Sequence, residues 1–175
     1  MHPPLAKLLY ALVAYFLGYD GHYHFNQILD NYNYHNVPYI GLRSFSAVIG
    51  ALIVPLCFWI MQELKYCLSV ALFGAFLLLL DNALLTQSRL ILLDSMLILF
   101  ILMSVYSWIM FHKQRHEPFK FCWWYWLACT GFSLGLSVGV KLVGIFVVFA
   151  IAVASLIDLW NLFEKEMSDV FLFLQ

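Results

Sequence analysis

The sequence predicts an all-α protein built as a bundle of membrane-spanning helices. Of its 175 residues, 64% are hydrophobic and 11% are charged, and the mean hydropathy is +0.87. A soluble domain is normally about 45–50% apolar and about 25% charged. The apolar residues form long runs separated by short polar segments, and about 20 consecutive apolar residues let a helix cross a bilayer. Together these observations predict a polytopic membrane protein.

The first apolar run, residues 5–17, is too short to cross a bilayer. Pro3 and Pro4 precede it, where the start of a helix tolerates proline, and Gly18 marks its end. We predict a short helix in the membrane interface, with a sixth span as the alternative.

Residues 19–38 form a polar loop rich in Tyr, Asn and His. His22 and His24 alternate within it, as on one side of a strand. A metal site needs further ligands in suitable geometry, and we identify none, so we predict surface histidines, no metal and no cofactor. The cysteines lie in or at the ends of apolar runs without CxxC spacing, which predicts free thiols. No cluster of Lys and Arg indicates a nucleic-acid groove.

Five spans are predicted to follow and to make up a transmembrane bundle at residues 39–163, with a tail at 164–175. Pro55 lies within the first span and is expected to kink it. The stretch Thr86–Ser95 is predicted to be a tight hairpin between the second and third spans. An aromatic belt, Trp123–Trp126, begins the fourth. The predicted spans are 39–63, 68–85, 90–111, 123–140 and 142–160.

Because the spans alternate in direction, the start of the first span and the hairpins after the second and fourth share one membrane face. Ionisable groups at this depth are costly unless they are paired or hydrated, so they are candidates for a functional site. A surplus of positive charge there suits an anionic head group such as a phosphate. The alternative is a set of structural ion pairs that hold the bundle together. The face collects Arg43, Arg89, Lys141, Asp81 and Asp94.

The opposite face carries most of the remaining cations. Short cytoplasmic loops are enriched in Lys and Arg, so the basic segment 113–120 predicts that this opposite face is cytoplasmic. The Arg43 face is then the non-cytoplasmic one. The cations of the opposite face are Lys65, Lys113, Arg115, Lys120 and Lys165.

An ordered set of short blocks resembles the protein O-mannosyltransferases over nearly the whole chain. Each block alone is weak, but their order and spacing together are specific. The blocks are His-Pro-Pro-Leu-Ala-Lys-Leu-Leu at 2–9, Gly-Tyr-Asp-Gly at 18–21, Val-Pro-Tyr at 37–39 with Arg43, Asp-Asn-Ala-Leu-Leu-Thr-Gln-Ser-Arg at 81–89, Leu-Leu-Asp-Ser at 92–95, Trp-Trp at 123–124, Gly-Val-Lys at 139–141 and Asp-Leu-Trp at 158–160.

The resemblance implies a multi-pass enzyme of the endoplasmic reticulum membrane with the GT-C glycosyltransferase fold. Such an enzyme transfers mannose from dolichyl phosphate mannose to Ser or Thr hydroxyls of lumenal polypeptides, and a homo- or heterodimer with a family member is expected. Residues 1–38 would then be lumenal and residues 164–175 cytosolic. The resemblance implies that Arg43 contacts the lipid-linked phosphate, that Gln87, Arg89 and Asp94 line the active-site cavity, and that Lys141 also binds substrate.

The family's chief acidic pair lies upstream of the block that begins at His2, so we expect a fragment of such an enzyme that is inactive alone. Asp94 is the candidate catalytic base, and its alternative role is to orient Arg89. Two other classes stay open, a transporter segment and a non-catalytic assembly subunit. Transporter sites usually lie near the bilayer midplane on broken helices, whereas these charges gather at one face.

Overall fold

A computed structural model describes residues 3–21 and 37–173, and the secondary structure of these residues is helical throughout. The prediction of an all-α helix bundle is confirmed. Short 3-10 turns occupy Gln114–His116 and Leu142–Gly144. The α-helices are α1 (Leu5–Phe16), α2 (Tyr39–Glu63), α3 (Leu68–Leu80), α4 (Asn82–Arg89), α5 (Asp94–Lys113), α6 (Phe121–Val140) and α7 (Ile145–Phe173).

Three helical segments in the described residues are long and apolar enough to cross a membrane, or four if a bent pair of helices forms one span. The three are Tyr39–Glu63, Asp94–Lys113 and Leu142–Glu164, and the bent pair is α3 with α4. The predicted fourth span corresponds to α6, which has 20 residues but is not among these segments. It runs antiparallel to α5. The rings of Phe111 and Trp123 are in contact where α5 ends and α6 begins, and Asp94 and Lys141 form an ion pair where α5 begins and α6 ends. Five spans result only if the bent pair counts as one span and α6 also crosses the membrane.

The structure corrects the predicted second span and the hairpin after it. The helix breaks at Asp81, and α4 continues at an angle of 55° to α3. The Asp81 carboxylate accepts hydrogen bonds from the backbone N–H groups of Ala83 (3.2 Å) and Leu84 (3.3 Å). An aspartate that caps a new helix competes with continuation of the old one. Residues 86–89 are therefore helical, and only Leu90–Leu93 connect α4 to α5.

Other helix limits also differ from the prediction. The third span was expected to begin at residue 90, but α5 begins at Asp94. The predicted tail at 164–175 is helical as far as Phe173, because α7 contains neither Gly nor Pro to end it. Pro55 lies inside α2 without ending that helix.

Helix α5 packs between α2 and α6 and carries both apolar clusters of the bundle. Helices α2 and α5 run in the same direction, since Ile49 meets Met96 in one cluster and Ile60 meets Ile109 in the other. The first cluster also contains Ala6 and Tyr10 of α1. Helix α1 therefore covers the end of the bundle at which α2 and α5 begin.

Helix α4 packs directly against the backbone of α2 at a glycine. A Cβ atom at Gly50 would overlap the Cβ of Ser88. Since that atom belongs to the short, fixed part of a side chain, relief of the overlap requires movement of a helix. Gly131 on α6 offers a matched control, because a Cβ there would meet nothing within 4 Å.

We expect Gly50→Ala to lower the free energy of unfolding by about 1–3 kcal/mol, as overpacking does in other well-packed interiors. Gly131→Ala should leave stability unchanged or raise it slightly, because alanine favours a helix over glycine. Thermal unfolding of the purified chain in detergent measures both. Equal stability of the two variants would contradict the close α2–α4 contact.

We expect Gln87 to face the lumen and Lys113 to face the cytosol, as the basic segment 113–120 predicts. Single cysteines at these positions, labelled in sealed microsomes, test this orientation. The native cysteines must first be replaced, because Cys67 and Cys122 are exposed. Labelling of position 87 from the cytosolic side alone would reverse the proposed topology.

Candidate functional site

An ion pair joins the start of α5 to the end of α6. The Lys141 ammonium donates to Asp94 Oδ1 at 2.8 Å, and the two side chains are 29% and 34% exposed. Asp94 lies in the first turn of α5, where the helix dipole favours a carboxylate, and Lys141 follows α6, where it favours a cation. The dipole of each helix therefore stabilises the charged residue at its end, Asp94 on α5 and Lys141 on α6.

The pairing bears on the role predicted for Asp94. In the part of the chain that the structure describes, Asp94 forms its ion pair with Lys141, and Arg89 forms none. The structure thus brings two of the sequence-predicted residues together, in a combination the sequence did not predict. Because the two charges compensate each other, the net positive charge of this face comes from its arginines.

Arg43 lies on an exposed part of α2, one turn after Tyr39. Its guanidinium lies 5.7 Å from the centroid of the Tyr39 ring, within the range of a cation–π contact. No carboxylate among residues 3–21 and 37–173 forms an ion pair with it. Its charge is therefore available to an anion.

Arg89 ends α4 beside a groove of about 250 Å³ between α2, α3 and α4. The groove is apolar apart from Ser88 and Arg89. Gln87 is half-buried on the same helix. A chain of methylene groups would fit this lining, with an anion at the guanidinium. The remaining residues of the groove are Ala47, Gly50, Ala51, Val54, Leu78, Leu79, Leu84 and Leu85.

Tyr10 belongs to the same end of the bundle and was missed by the sequence analysis. Its hydroxyl lies 2.6 Å from Ser46 Oγ and donates to the Leu92 carbonyl at 3.1 Å. Burial raises the pKa of the Tyr10 phenol, against a smaller lowering by the Ser46 hydrogen bond, so the hydroxyl stays protonated at neutral pH. Ala6, Tyr10 and Ala14 form a buried stripe at helical spacing. A buried tyrosine needs a polar partner for its hydroxyl. The position of Tyr10 in this stripe was therefore a signal in the sequence that could have identified it.

Three candidate residues of the sequence analysis remain, Asp81, His22 and His24. Asp81, expected at a functional face, caps α4. His22 and His24 lie outside the described residues. Within the described ranges, no group of three His, Cys, Asp or Glu side chains could hold a metal ion.

The opposite end of the bundle is different, because three of its carboxylates have cation partners. Glu63 pairs with Lys113, joining α2 to α5. Asp158 of α7 lies 2.6 Å from His112 Nδ1 and 3.9 Å from Arg115. Glu117 Oε1 lies 2.7 Å from the Lys120 ammonium. The two ends therefore differ in pairing, since Arg43 and Arg89 at the other end have no carboxylate partner among residues 3–21 and 37–173.

The comparison with known proteins decides the family. The family model for dolichyl-phosphate-mannose-protein mannosyltransferases matches residues 1–173. The chain belongs to this mannosyltransferase family. The family resemblance seen in the sequence blocks is thereby confirmed, together with the expectation of a membrane glycosyltransferase region.

Individual mannosyltransferases match most of the chain. It is 43% identical over 164 residues to dolichyl-phosphate-mannose–protein mannosyltransferase 4 of Schizosaccharomyces pombe, covering 94% of this chain and 21% of that protein. It is 43% identical over 162 residues to protein O-mannosyl-transferase 2 of Danio rerio, covering 93% and 21%. With protein O-mannosyl-transferase 1 of Homo sapiens, identity is 39% over 170 residues, covering 96% and 23%. The chain thus spans about a fifth of the length of these curated relatives.

We expect a double-mutant cycle of Asp94→Asn and Lys141→Met to give a coupling energy of about 1 kcal/mol, because the pair is partly shielded from solvent. Thermal unfolding in detergent measures it. The control is the exposed pair Glu117–Lys120, for which Glu117→Gln and Lys120→Met should couple by at most about 0.5 kcal/mol. Equal coupling in the two cycles would mean that the Asp94–Lys141 pair adds nothing beyond a surface contact.

Proposed function

We propose that the protein transfers mannose from dolichyl phosphate mannose to Ser or Thr hydroxyls of polypeptides in the lumen of the endoplasmic reticulum. The observation that carries the proposal is the Arg43 end of the bundle in a chain of this family. Arg43 and Arg89 lack a carboxylate partner among the described residues. An apolar groove begins beside Arg89.

The donor has two parts that need different surroundings. Its phosphate is anionic, and guanidinium groups bind phosphates through paired, charge-assisted hydrogen bonds. Its polyisoprenoid tail is apolar and stays at the depth of the bilayer. We assign the phosphate to Arg43 and Arg89, with Gln87 as a further donor of hydrogen bonds. The groove between α2, α3 and α4 takes the first part of the tail.

The reaction is an inverting transfer. The acceptor hydroxyl oxygen forms a bond to the anomeric carbon of mannose while the bond from that carbon to the phosphate oxygen breaks. The hydroxyl proton passes to a base, and dolichyl phosphate leaves with the negative charge. Cations near the departing oxygen stabilise that charge, which is the role we propose for Arg43, Arg89 and Lys141.

Asp94 has a different role in this proposal. The Lys141 ammonium donates to Asp94 Oδ1 at 2.8 Å, so an acceptor hydroxyl would have to compete with it for that oxygen. We therefore assign Asp94 to holding Lys141 in place. The base would come from another part of the protein, as the resemblance to the family implies.

The location and partners follow from the same proposal. The Arg43 end faces the lumen, the chain crosses the membrane of the endoplasmic reticulum several times, and the acceptor is a Ser- or Thr-containing polypeptide. A second family member is expected as a homo- or heterodimeric partner. Fluorescent fusion of the protein and co-purification with a differently tagged copy test these two expectations.

We expect Arg43→Ala, in the protein expressed from its own gene, to raise the KM for dolichyl phosphate mannose by about tenfold to a hundredfold. This corresponds to the loss of one charge-assisted hydrogen bond, about 1.5–3 kcal/mol. Steady-state transfer to a Ser/Thr-rich peptide in microsomes measures it. The KM for the peptide should stay unchanged.

The matched control for Arg43→Ala is Lys120→Ala, which removes an exposed cation (63% exposed) at the opposite end. It should leave donor KM unchanged, and Arg43→Lys should restore part of the loss. A normal KM for the donor in Arg43→Ala would show that Arg43 does not bind the phosphate.

We expect the purified 175-residue chain to show no mannose transfer by itself, because Asp94 is engaged by Lys141. It should still insert into membranes and bind dolichyl phosphate weakly. Incubation with dolichyl phosphate mannose and an acceptor peptide tests this. Transfer that disappears in Asp94→Asn would instead make Asp94 the base.

A further inference from the structure

A four-residue connection, Leu90–Leu93, separates two charged residues of the candidate site. Arg89 ends α4 on one side of it, and Asp94 begins α5 on the other. The position of Arg89 relative to the Asp94–Lys141 pair therefore depends on how this connection is held. Residues 90–92 are exposed, so packing alone holds them weakly.

One side chain from a distant part of the sequence holds the connection. The Tyr10 hydroxyl donates to the Leu92 carbonyl at 3.1 Å across 82 positions of sequence. Tyr10 is 9% exposed, and its ring meets Phe45 edge-on with centroids 5.6 Å apart. The ring is thus fixed by packing, and its hydroxyl direction is fixed with it.

The hydrogen atoms in this network decide which bonds can form together. Tyr10 and Ser46 each carry one hydroxyl hydrogen, and three contacts compete for them: Tyr10 with Ser46, Tyr10 with the Leu92 carbonyl, and Ser46 with the Leu42 carbonyl at 3.2 Å. The Leu42 carbonyl lies inside α2, where the helix already supplies a donor. The Leu92 carbonyl precedes α5 and lies outside a helix.

Since the Leu42 carbonyl already has a donor within its helix, the arrangement that gives every acceptor a donor uses the Tyr10 hydrogen for the Leu92 carbonyl. Ser46 then donates to Tyr10, and Tyr10 donates to Leu92. In this arrangement Ser46 can be removed without loss of the Leu92 bond, whereas removal of the Tyr10 hydroxyl breaks it. The two hydroxyls therefore make unequal contributions to the position of the connection.

We infer that Tyr10 is a positioning residue, which fixes the Leu90–Leu93 connection through its bond to Leu92 and so sets the distance between Arg89 and the Asp94–Lys141 pair. The inference rests on the proposed function for its effect on the donor. The geometric part, that Tyr10 holds the connection, is independent of any activity. Tyr10 itself touches none of the reacting atoms in this proposal.

The test compares Tyr10→Phe with Ser46→Ala in the protein expressed from its own gene and purified in lipid nanodiscs. Tyr10→Phe keeps the ring packing and removes the donor to Leu92. Amide hydrogen exchange in the peptide covering residues 90–97 should become at least tenfold faster. Ser46→Ala should leave that exchange within about twofold of the original protein.

Kinetics supply the second measurement. Tyr10→Phe should raise the KM for dolichyl phosphate mannose about fivefold to tenfold, whereas Ser46→Ala should leave it unchanged. A merely structural defect would lower the fraction of active enzyme, which reduces the apparent kcat and cannot change KM. A changed KM therefore separates positioning from partial unfolding.

Each result decides the inference. Unchanged exchange in Tyr10→Phe, or equally accelerated exchange in Ser46→Ala, would overturn the role of the Leu92 bond. Accelerated exchange with a normal donor KM would overturn the link to the site. Absence of mannose transfer in the unmodified protein would end the proposed function instead, and the exchange comparison would still decide whether Tyr10 holds the connection.

Discussion

The structure depends on one constraint, the cost of placing charges and unpaired polar groups in hydrocarbon. In the described residues, the ion pairs lie at the two ends of the α2–α5–α6 bundle. Most of the buried hydroxyls within the bundle donate to the backbone of their own helix, and Ser95 is an exception without a partner among residues 3–21 and 37–173. Ser104 donates to the Phe100 carbonyl at 2.7 Å, and Thr130 donates to the Trp126 carbonyl at 2.8 Å. In the described residues, no ion pair therefore lies in the middle of the bundle, and chemistry that needs charged side chains is confined to its ends.

The two ends use their charges differently. At the end that we place in the cytosol, Glu63 and Asp158 join α2 and α7 to α5 through matched ion pairs. Such pairs fix helix positions and leave little charge for a ligand. At the other end, one carboxylate pairs with one lysine, and two arginines have no carboxylate partner in the described part of the chain. Two guanidinium groups without a carboxylate partner suit the lipid phosphate that we propose as their ligand.

Helix α1 links this charge distribution to the fold. It crosses the charged end of the bundle, and Ala6 and Tyr10 enter the same apolar cluster as Ile49, Met96 and Val140. A short helix that does not span the membrane thereby contacts α2, α5 and α6 at once. It stabilises their relative positions close to the proposed donor site, which is why one tyrosine on α1 can influence residues far along the sequence.

The sequence by itself predicted the class of the protein, the family, and the common location of Arg43, Arg89, Asp94 and Lys141 at one end of the helices. Composition is sufficient for the class, because hydrocarbon thickness fixes the length of a spanning helix. The ordered sequence blocks indicate the family, and the alternation of spans predicts the shared end because each crossing reverses the chain. Only the tertiary structure decided that Asp94 pairs with Lys141, that the second span bends at Asp81, and that Tyr10 contacts Leu92. Two of these are contacts across 47 and 82 positions, and the third is a competition between a side-chain cap and a continuing helix. Periodicity carries no information on which distant partner a polar group will meet, since that depends on how the helices pack.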